Sequence, residues 1–465
     1  MDPVADLLSP AGDPDRAILR GAAEPTTIAL AGAEFGWGSS GKLSAVLSAL
    51  AERGSDGPLR LVGIGSGLGR PLLAAHPVET WYDLPESGGD TLDTVRRIVR
   101  SERVAAALVV LDGPLAMALE ATGVPTVFVD SLPFLWTDGD RPDLPLDVSV
   151  YCAQRCVELP PECRGVLDSV RALRWVDAIV ATPSGRPRRT GPEPATRGPG
   201  ERTGAPAEAG REPAGPPAAP YRKALINLGG LRAPRLADWS HYPRLVVPAA
   251  VEALAAEGVG EVHIAGNVPS DLGARLTGGR AGTPRTTAGP LSHRAFLDRL
   301  AETDVLLTSP GLTTLLEADG LGVPTVCLPP QNVSQVFNGR FHSRAVGADV
   351  RTRWPEDVFA EDDALALRAE GEDHALTLIY GSIAKTATGP GADAARRRLR
   401  DAIRAALRTA GTHEGWGGLA SQVGTGGAAQ VADAVLSLVE RTTAPRGPAD
   451  AAAAPGPGPV ARPAS

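Results

Sequence analysis

TSPGLTTLLEADGLGVPTVCLPPQNVSQVFN, residues 308 to 338, is the stretch that decides the fold. It follows the apolar run 304–307, which is typical of a buried parallel strand. Gly311 then allows a tight turn with close approach of the backbone. Thr313 and Thr314 stand where a helix begins, and we expect their hydroxyls to cap it. The opening of the stretch therefore predicts a strand, a glycine turn and a helix start.

The rest of the stretch completes a βαβ unit. Gly320 and Gly322 end the helix, and residues 323–328 form a second short buried strand. Such a helix start presents free N–H groups and its positive end to an anion. Glu317, one and a half turns into the helix, can accept hydrogen bonds from a ribose. A polar loop follows a Pro-Pro pair and carries amides that can bind hydroxyls: Gln331, Asn332, Gln335 and Asn338.

Two spacings in this stretch resemble the donor half of GT-B glycosyltransferases, in particular the peptidoglycan UDP-N-acetylglucosamine transferase group. That group carries a glycine six residues before a ribose-binding glutamate, as Gly311 and Glu317 stand here. It also carries Gln-x-x-Asn after a proline-containing strand end, as Gln335 and Asn338 stand here. The resemblance covers the C-terminal half well and the N-terminal half in outline. It implies an α/β fold of the GT-B class: two Rossmann-like domains facing across a cleft, with a C-terminal helix crossing back.

Length and composition limit the number of domains and the classes of function that the chain can have. Its 465 residues suffice for two or three domains, and a formal charge of −8 argues against general nucleic-acid binding. Met1 to Glu24 lacks the apolar core of a signal peptide, and no run has the length of a membrane span. We therefore expect a cytoplasmic protein whose four cysteines are free thiols.

Strand and helix patterns alternate on both sides of a segment rich in Pro, Gly and Arg, which has almost no large apolar residue. We interpret this segment as a disordered insertion. A basic nucleic-acid arm is the sharper alternative, although glutamates offset much of its arginine. The predicted division is a disordered leader at 1–24, an acceptor domain at 25–183, the insertion at 184–220, a donor domain at 221–423, a returning helix at 424–440 and a disordered tail at 441–465.

The N-terminal half predicts a parallel, doubly wound sheet, because apolar runs alternate with helical segments. Ligands of such sheets lie beyond the carboxyl ends of the strands. Glu34, Asp112 and Asp130 follow such ends and are candidates for the base that takes the acceptor's proton. Glu34 is favoured because it lies within a glycine-rich loop, with Asp130 second. Residues 146–180 are expected to be mostly helical.

Two further loops are expected to contact the donor. Gly229 and Gly230 follow the first strand of the second half and resemble the diphosphate-side glycine turn of the family. Leu291 stands where family members contact uracil through backbone groups, and its side chain would stack on the base. The plain alternative for both loops is an ordinary βα connection.

The glycine-rich loop EFGWGSSGKL, at 34–43, departs from the His-containing loop of the peptidoglycan enzymes. Together with GSGLGRPLL at 65–73, it resembles the cytosylglucuronate synthases of nucleoside-antibiotic pathways. That resemblance implies an inverting transfer of glucuronate from UDP-glucuronate to N1 of cytosine or hydroxymethylcytosine, with release of UDP. No metal or other cofactor is required in this scheme.

The same resemblance points to contacts with the acceptor or with the sugar carboxylate. A fixed cation suits a carboxylate, so we expect one of three basic side chains to pair with it. A tryptophan can stack on a flat pyrimidine. The candidate residues are Gly36, Trp37, Gly38, Lys42, Arg70 and Arg340.

Residues 36–42 also fit the G-x-x-x-x-G-K pattern of a phosphate loop. Asp112 and Asp130 could imitate its metal-holding element, but Leu43 stands where Ser or Thr should bind magnesium. A phosphate-loop NTPase or kinase is therefore the second interpretation. A sugar-nucleotide-binding protein without turnover is the third.

Two groups of residues resemble metal ligands. Asp138 and Asp140 form a D-x-D pair of the kind that holds a divalent ion on UDP in other glycosyltransferases, but they lie in an Asp/Pro-rich loop. We interpret them as a solvated turn. Cys152, Cys156 and Cys163 have spacings that match no zinc pattern, so buried or idle thiols are favoured. The expected partners are a UDP-sugar and a small pyrimidine, without nucleic acid; the oligomeric state stays open.

Overall fold

The computed structural model of the protein describes residues 24–443, apart from positions 36, 56, 86–90, 182–220, 233–235, 267 and 279–281 and the side chain of Glu370. The predicted insertion, most of the predicted leader and most of the predicted tail lie outside the described residues.

The N-terminal half forms a parallel sheet of seven strands in the order β3-β2-β1-β4-β5-β6-β7. Nearly all of β4 is buried, as expected when helices cover both faces of a parallel sheet. The strands are β1 (Thr26–Gly32), β2 (Leu59–Ile64), β3 (Val78–Tyr82), β4 (Val104–Val110), β5 (Thr126–Asp130), β6 (Val150–Gln154) and β7 (Leu173–Val176). The helices are α1 (Gly38–Arg53), α2 (Arg70–Leu73), α3 (Thr91–Glu102), α4 (Gly113–Ala121) and α5 (Pro161–Leu167).

The C-terminal half forms a second parallel sheet, in the order β10-β9-β8-β11-β12. Its strands are β8 (Lys223–Gly229), β9 (Glu261–Gly266), β10 (Arg285–Gly289), β11 (Val305–Thr308) and β12 (Thr325–Cys327). Its helices are α6 (His241–Ala256), α7 (Ser270–Thr277), α8 (His293–Ala301), α9 (Leu312–Gly320), α10 (Val333–Val346), α11 (Glu361–Leu367), α12 (Glu372–Thr388), α13 (Ala392–Thr412) and α14 (Gly418–Val423).

The last helix, α15 (Gly427–Thr443), returns to the N-terminal sheet. Its Val431, Val435 and Leu438 share a buried core with Leu43 and Val46 of α1. Two Rossmann-like sheets with a returning C-terminal helix are the GT-B arrangement, so the fold class predicted from the sequence is confirmed. None of the described helices has the length and apolar composition needed to cross a membrane.

Several predictions of secondary structure are wrong. Residues 146–180 contain β6, α5 and β7, because VYCAQ at 150–154 is an apolar, aromatic-containing run that is buried throughout. The polar loop expected after Pro330 is instead the cap and first turns of α10. Neither β3 nor α12 was predicted.

A loop of the N-terminal domain reaches into the core of the C-terminal domain. This interdomain loop, residues 131–136, follows β5 and carries the fully buried Phe134. The Phe134 ring packs edge-on against Phe337 and Phe341 of α10, with ring centroids 5.6 and 5.2 Å apart. Arg368 donates a hydrogen bond of 2.9 Å to the carbonyl oxygen of Phe134. The two domains therefore share part of one packed core beside the cleft.

Candidate active site

A cavity of about 310 Å³ lies between the domains. Residues that follow β1, β4, β5, β8 and β11 line it, so it occupies the carboxyl ends of both sheets, where ligands bind in open α/β folds. Most of the predicted site residues line this cavity: Trp37, Gly38, Lys42, Gly229, Gly230, Leu291, Gly311, Thr313, Thr314, Glu317, Asn332, Gln335 and Asn338.

The start of α9 faces the cavity without a side-chain cap. Gly311 is its N-cap, and its backbone N–H donates to the carbonyl oxygen of Ser309 at 2.6 Å, so the predicted tight turn is present, although φ −71° and ψ 129° are open to any residue. The expected capping by threonine is wrong. The hydroxyl of Thr313 instead accepts a hydrogen bond from Lys42, and that of Thr314 accepts one from Asn227 at 3.0 Å. The α9 start is therefore left to a ligand.

Lys42 reaches this helix start from α1, across the cleft. Its side chain is 2% exposed, and burial lowers its pKa to about 8, although the nearby Glu317 carboxylate raises it. Ser39 and Ser40, in the same turn, are buried as well. A buried cation beside a helix N-terminus favours a ligand with several negative charges, because the anion restores the stabilisation that burial removed.

Glu317 belongs to a chain of hydrogen bonds that joins the two domains. The carboxylate is 4% exposed, and its Oε1 accepts from Nε2 of His293 at 2.7 Å. Nδ1 of His293 lies 3.4 Å from Oγ of Ser44 in α1, which in turn lies 2.8 Å from Nε2 of His76. Within the described part of the chain, Oε2 of Glu317 accepts no hydrogen bond, so this oxygen is available to a ligand hydroxyl.

The predicted amides hold α10 against the turn after β11. Oδ1 of Asn332 caps α10 by accepting from the backbone of Gln335 at 2.9 Å, and Oε1 of Gln335 accepts from the backbone of Gln331 at 2.9 Å. Nδ2 of Asn338 donates to the carbonyl oxygen of Pro310 at 3.0 Å. Gln331 itself does not line the cavity.

Asn338 is 2% exposed and keeps one unused acceptor. Its buried Oδ1 has no hydrogen-bond partner among the described residues, although the residue lines the cavity. An unpaired buried acceptor is costly, so this oxygen favours a ligand that brings a hydroxyl.

The glycines at the end of β8 form the floor of the cavity beside α9. Gly229 has φ 62°, a conformation that favours glycine. The backbone N–H of Gly229 donates to Oδ1 of Asn227 at 3.1 Å. Gly230 and Leu291 line the same cavity. This placement is compatible with the predicted diphosphate and uracil contacts.

None of the three predicted bases lines the cavity. Glu34 is exposed, and its Oε1 accepts from the backbone N–H of Gly67 at 2.7 Å, so it holds the loop after β2. Oδ1 of Asp112 caps α4 by accepting from the backbone of Leu115 at 3.1 Å. Burial and, more weakly, the Glu34 charge raise the pKa of Asp112.

Asp130, the second choice for the base, is fully buried and lies outside the cavity lining. Its Oδ1 accepts from the backbone of Leu132 at 2.8 Å. Its Oδ2 accepts from Nε1 of Trp136 at 2.8 Å and from the hydroxyl of Tyr151 at 2.9 Å. Burial raises its pKa to about 6, against the effect of these hydrogen bonds. Asp130 therefore fixes both ends of the interdomain loop.

The predicted cations are separated by the fold. Lys42 lines the cavity, whereas Arg70 and Arg340 do not. Arg70 pairs with Asp83, and Arg340 pairs with Asp362 at 2.7 Å. Trp37 and Gly38, before and at the start of α1, line the cavity, and Gly36 lies outside the described residues.

Four kinds of lining residue were not predicted as parts of the site. His293, the first residue of α8, belongs to no motif that the sequence analysis used. Trp136 and its neighbours in the interdomain loop gave no motif, and Glu372 lies in a helix that was not predicted. Leu111 takes φ 63°, a strained conformation for leucine that tends to occur at functional sites, but sequence does not reveal it.

The residues considered as metal ligands lie outside the cavity. Asp138 and Asp140 lie in a short 3-10 helix, Asp138–Asp143, where Asp140 accepts from the hydroxyl and the backbone N–H of Thr137. Cys152 and Cys163 are buried and unpaired. Across the described ranges, no group of three or more His, Cys, Asp and Glu side chains could hold a metal ion.

No protein-family model and no curated protein matches the sequence. Among solved structures, the glycotransferase of kitacinnamycin is similar at 18% identity and TM-score 0.44, covering 90% of this chain and 99% of that chain. A UDP-glucosyltransferase from Polygonum tinctorium is similar at 15% identity and TM-score 0.47, with coverages of 90% and 99%. MurG of Acinetobacter baumannii is similar at 14% identity and TM-score 0.41, with coverages of 82% and 100%. The fold assignment rests on the sheet orders above rather than on these likenesses.

Proposed function

We propose that this chain is a glycosyltransferase that moves a sugar from UDP to a small acceptor. The observation that carries the proposal is the meeting, in one cavity, of the uncapped α9 start, Lys42 from the opposite domain and the Glu317 carboxylate. A helix start and a cation suit a diphosphate, and a carboxylate suits the hydroxyls of a ribose.

The same groups suit the reaction as well as the binding. Departure of UDP builds negative charge on the diphosphate, and prearranged N–H groups with a buried cation stabilise that charge without the help of a metal. In this scheme Gly229, Gly230 and Thr313 surround the diphosphate, and Leu291 contacts the uracil. Asn338, with its free Oδ1, takes a sugar hydroxyl.

The sugar is proposed to be glucuronate, and the acceptor N1 of cytosine or hydroxymethylcytosine. Support comes from the resemblance of the loops at 34–43 and 65–73 to cytosylglucuronate synthases. Lys42 is the member of the predicted cation set that reaches the cavity, so it is the proposed partner of the sugar carboxylate or of the adjoining phosphate. Trp37 and Trp136 line the cavity, and their flat faces are the proposed contacts of a pyrimidine.

A panel of UDP-sugars and dTDP-sugars, each offered with cytosine, hydroxymethylcytosine and uracil, tests this proposal. UDP release should be fastest with UDP-glucuronate and one of the cytosines. Transfer from another UDP-sugar would support the glycosyltransferase function and contradict glucuronate as the sugar. No transfer from any donor, with tight UDP binding retained, would indicate the third interpretation, a protein that binds sugar nucleotides without turnover.

The phosphate-loop interpretation is tested by a thermal melt with UDP or with ATP and magnesium. Leu43 stands where a magnesium-binding hydroxyl is needed, and Asp130 is buried with its hydrogen bonds made, so the loop is not arranged for a magnesium triphosphate. UDP alone should raise the melting temperature. Stabilisation by ATP and not by UDP would reverse the assignment.

A further inference from the structure

The wall of the cavity contains an acid that no motif identified. Glu372 is the first residue of α12, is half-buried and lines the cavity together with Leu132, Leu135 and Trp136. Within the described ranges, its carboxylate makes neither a hydrogen bond nor an ion pair, so it is free to meet a ligand.

The other acids near the cleft are already engaged. Glu317 accepts from His293, Glu34 holds Gly67 and Asp112 caps α4. Asp130 is fully buried behind the cavity wall and accepts three hydrogen bonds. Of the carboxylates that line the cavity in the described part of the chain, Glu317 and Glu372, only Glu372 has both oxygens uncommitted.

The surroundings of Glu372 suit proton transfer near neutral pH. Burial raises its pKa to about 7, with smaller contributions from Asp140 in the turn at 138–143 and from Asp373, whereas Arg368 lowers it. A general base works best when its pKa lies near the operating pH, because it is then deprotonated in the resting enzyme yet basic enough to take a proton.

We infer that Glu372, supplied by the C-terminal domain, is the general base of the transfer; this inference rests on the proposed glycosyltransferase function. Its carboxylate takes the proton of the acceptor N–H or O–H. The lone pair freed on the acceptor forms the bond to C1 of the sugar, while the bond from C1 to the diphosphate oxygen breaks and its electron pair leaves on UDP. The proton is later lost from Glu372 to water.

Glu372→Gln and Glu34→Gln are the matched variants, because each replaces one carboxylate by an amide of the same size. Glu372→Gln should lower kcat by about 10²- to 10⁴-fold, with UDP affinity within about twofold of the wild type. In the wild type the rate should fall as pH drops below about 7, and Glu372→Asp should retain part of the rate with that limb shifted. Glu34→Gln should change kcat less than about threefold.

Two outcomes separate this inference from the function on which it rests. If the wild type transfers sugar and Glu372→Gln does so at a similar rate, or Glu34→Gln is the variant that loses turnover, Glu372 is not the base although the transferase stands. If the wild type releases UDP with no donor and acceptor of the panel, the function and the inference fall together. Unchanged UDP affinity and a melting temperature no lower than that of the wild type in Glu372→Gln exclude misfolding as the cause of a lost rate.

Discussion

Replacing Lys42 by methionine should make the free protein more stable while weakening its affinity for UDP. Methionine has similar length and flexibility but carries no charge. The lowering of the Lys42 pKa from 10.5 to about 8 corresponds to about 3 kcal/mol of cost for the charged form in the folded protein. Loss of the hydrogen bond to Thr313 offsets about 1 kcal/mol of this. We therefore expect the free energy of unfolding at pH 7 to rise by about 2 kcal/mol.

The effect of Lys42→Met on the free energy of unfolding should decrease as pH rises. Because the Lys42 pKa is lower in the folded than in the unfolded protein, the cost is complete below pH 8 and is lost between about pH 8 and 10.5. The stability advantage of Lys42→Met should therefore shrink as pH rises through this range. The UDP affinity of the wild type should fall over the same range, and that of the variant should stay level.

Urea unfolding followed by tryptophan fluorescence measures the first effect, and titration calorimetry with UDP measures the second. The dissociation constant should increase about 10- to 100-fold, equivalent to about 1.4 to 2.7 kcal/mol. Lys223, which is exposed at the start of β8, supplies the control, since Lys223→Met should change neither quantity. A Lys42→Met protein that is less stable than the wild type, or that binds UDP equally well, would refute the claim that this cation is buried for the sake of an anion.

Three other substitutions test other parts of the site. Glu317→Ala should weaken UDP binding about 10- to 100-fold, because a carboxylate that accepts from ribose hydroxyls contributes about 1.5–3 kcal/mol. Glu317→Gln should lose less UDP affinity. An unchanged affinity of Glu317→Ala in titration calorimetry would show that Glu317 does not bind the ribose. At pH 5, where Asp130 is largely protonated, Asp130→Asn should lower the free energy of unfolding by about 1–3 kcal/mol, because an amide leaves one of the three donors around it unpaired. Since burial raises the Asp130 pKa to about 6, wild-type stability should gain about 1 kcal/mol from this group as pH falls from 7 to 5; urea midpoints that change equally with pH in both proteins would contradict this. Phe134→Ala should lower the free energy of unfolding by about 3–5 kcal/mol and should lower kcat/KM as well. Phe128→Ala, in the N-terminal core, is the control and should lose similar stability while kcat/KM is retained. Equal losses of kcat/KM in the two variants would show that the interdomain loop has no special role in the reaction.

The sequence predicted the βαβ unit around α9 well because its signals are local. The βαβ unit around α9 follows from short apolar runs and punctuating glycines, and the spacing from Gly311 to Glu317 places both at one helix start. Those relations involve neighbours on the chain, so periodicity and turn chemistry suffice to predict them.

Contacts between the domains were not predictable in the same way. Lys42 and Thr313 are separated by 271 positions, and only the docking of two sheets makes them partners. The run at 150–154 was assigned to a helix because burial on both faces of a sheet removes the alternation that identifies a strand. Glu372 stood in no motif, and its possible role depends on which carboxylates the fold leaves without partners.

The interdomain loop restricts how this architecture can be recombined. Residues 131–136 are encoded with the N-terminal sheet, yet Phe134 fills a slot between Phe337 and Phe341. A hybrid made by joining the first lobe of one relative to the second lobe of another would inherit a mismatched aromatic contact, however well the junction were chosen. Substrate entry has a related constraint, since a swing that widened the cleft at residue 134 would empty this slot. The two domains are therefore expected to open about a pivot close to Phe134. Substrates and products should then enter and leave at the end of the cleft far from this residue.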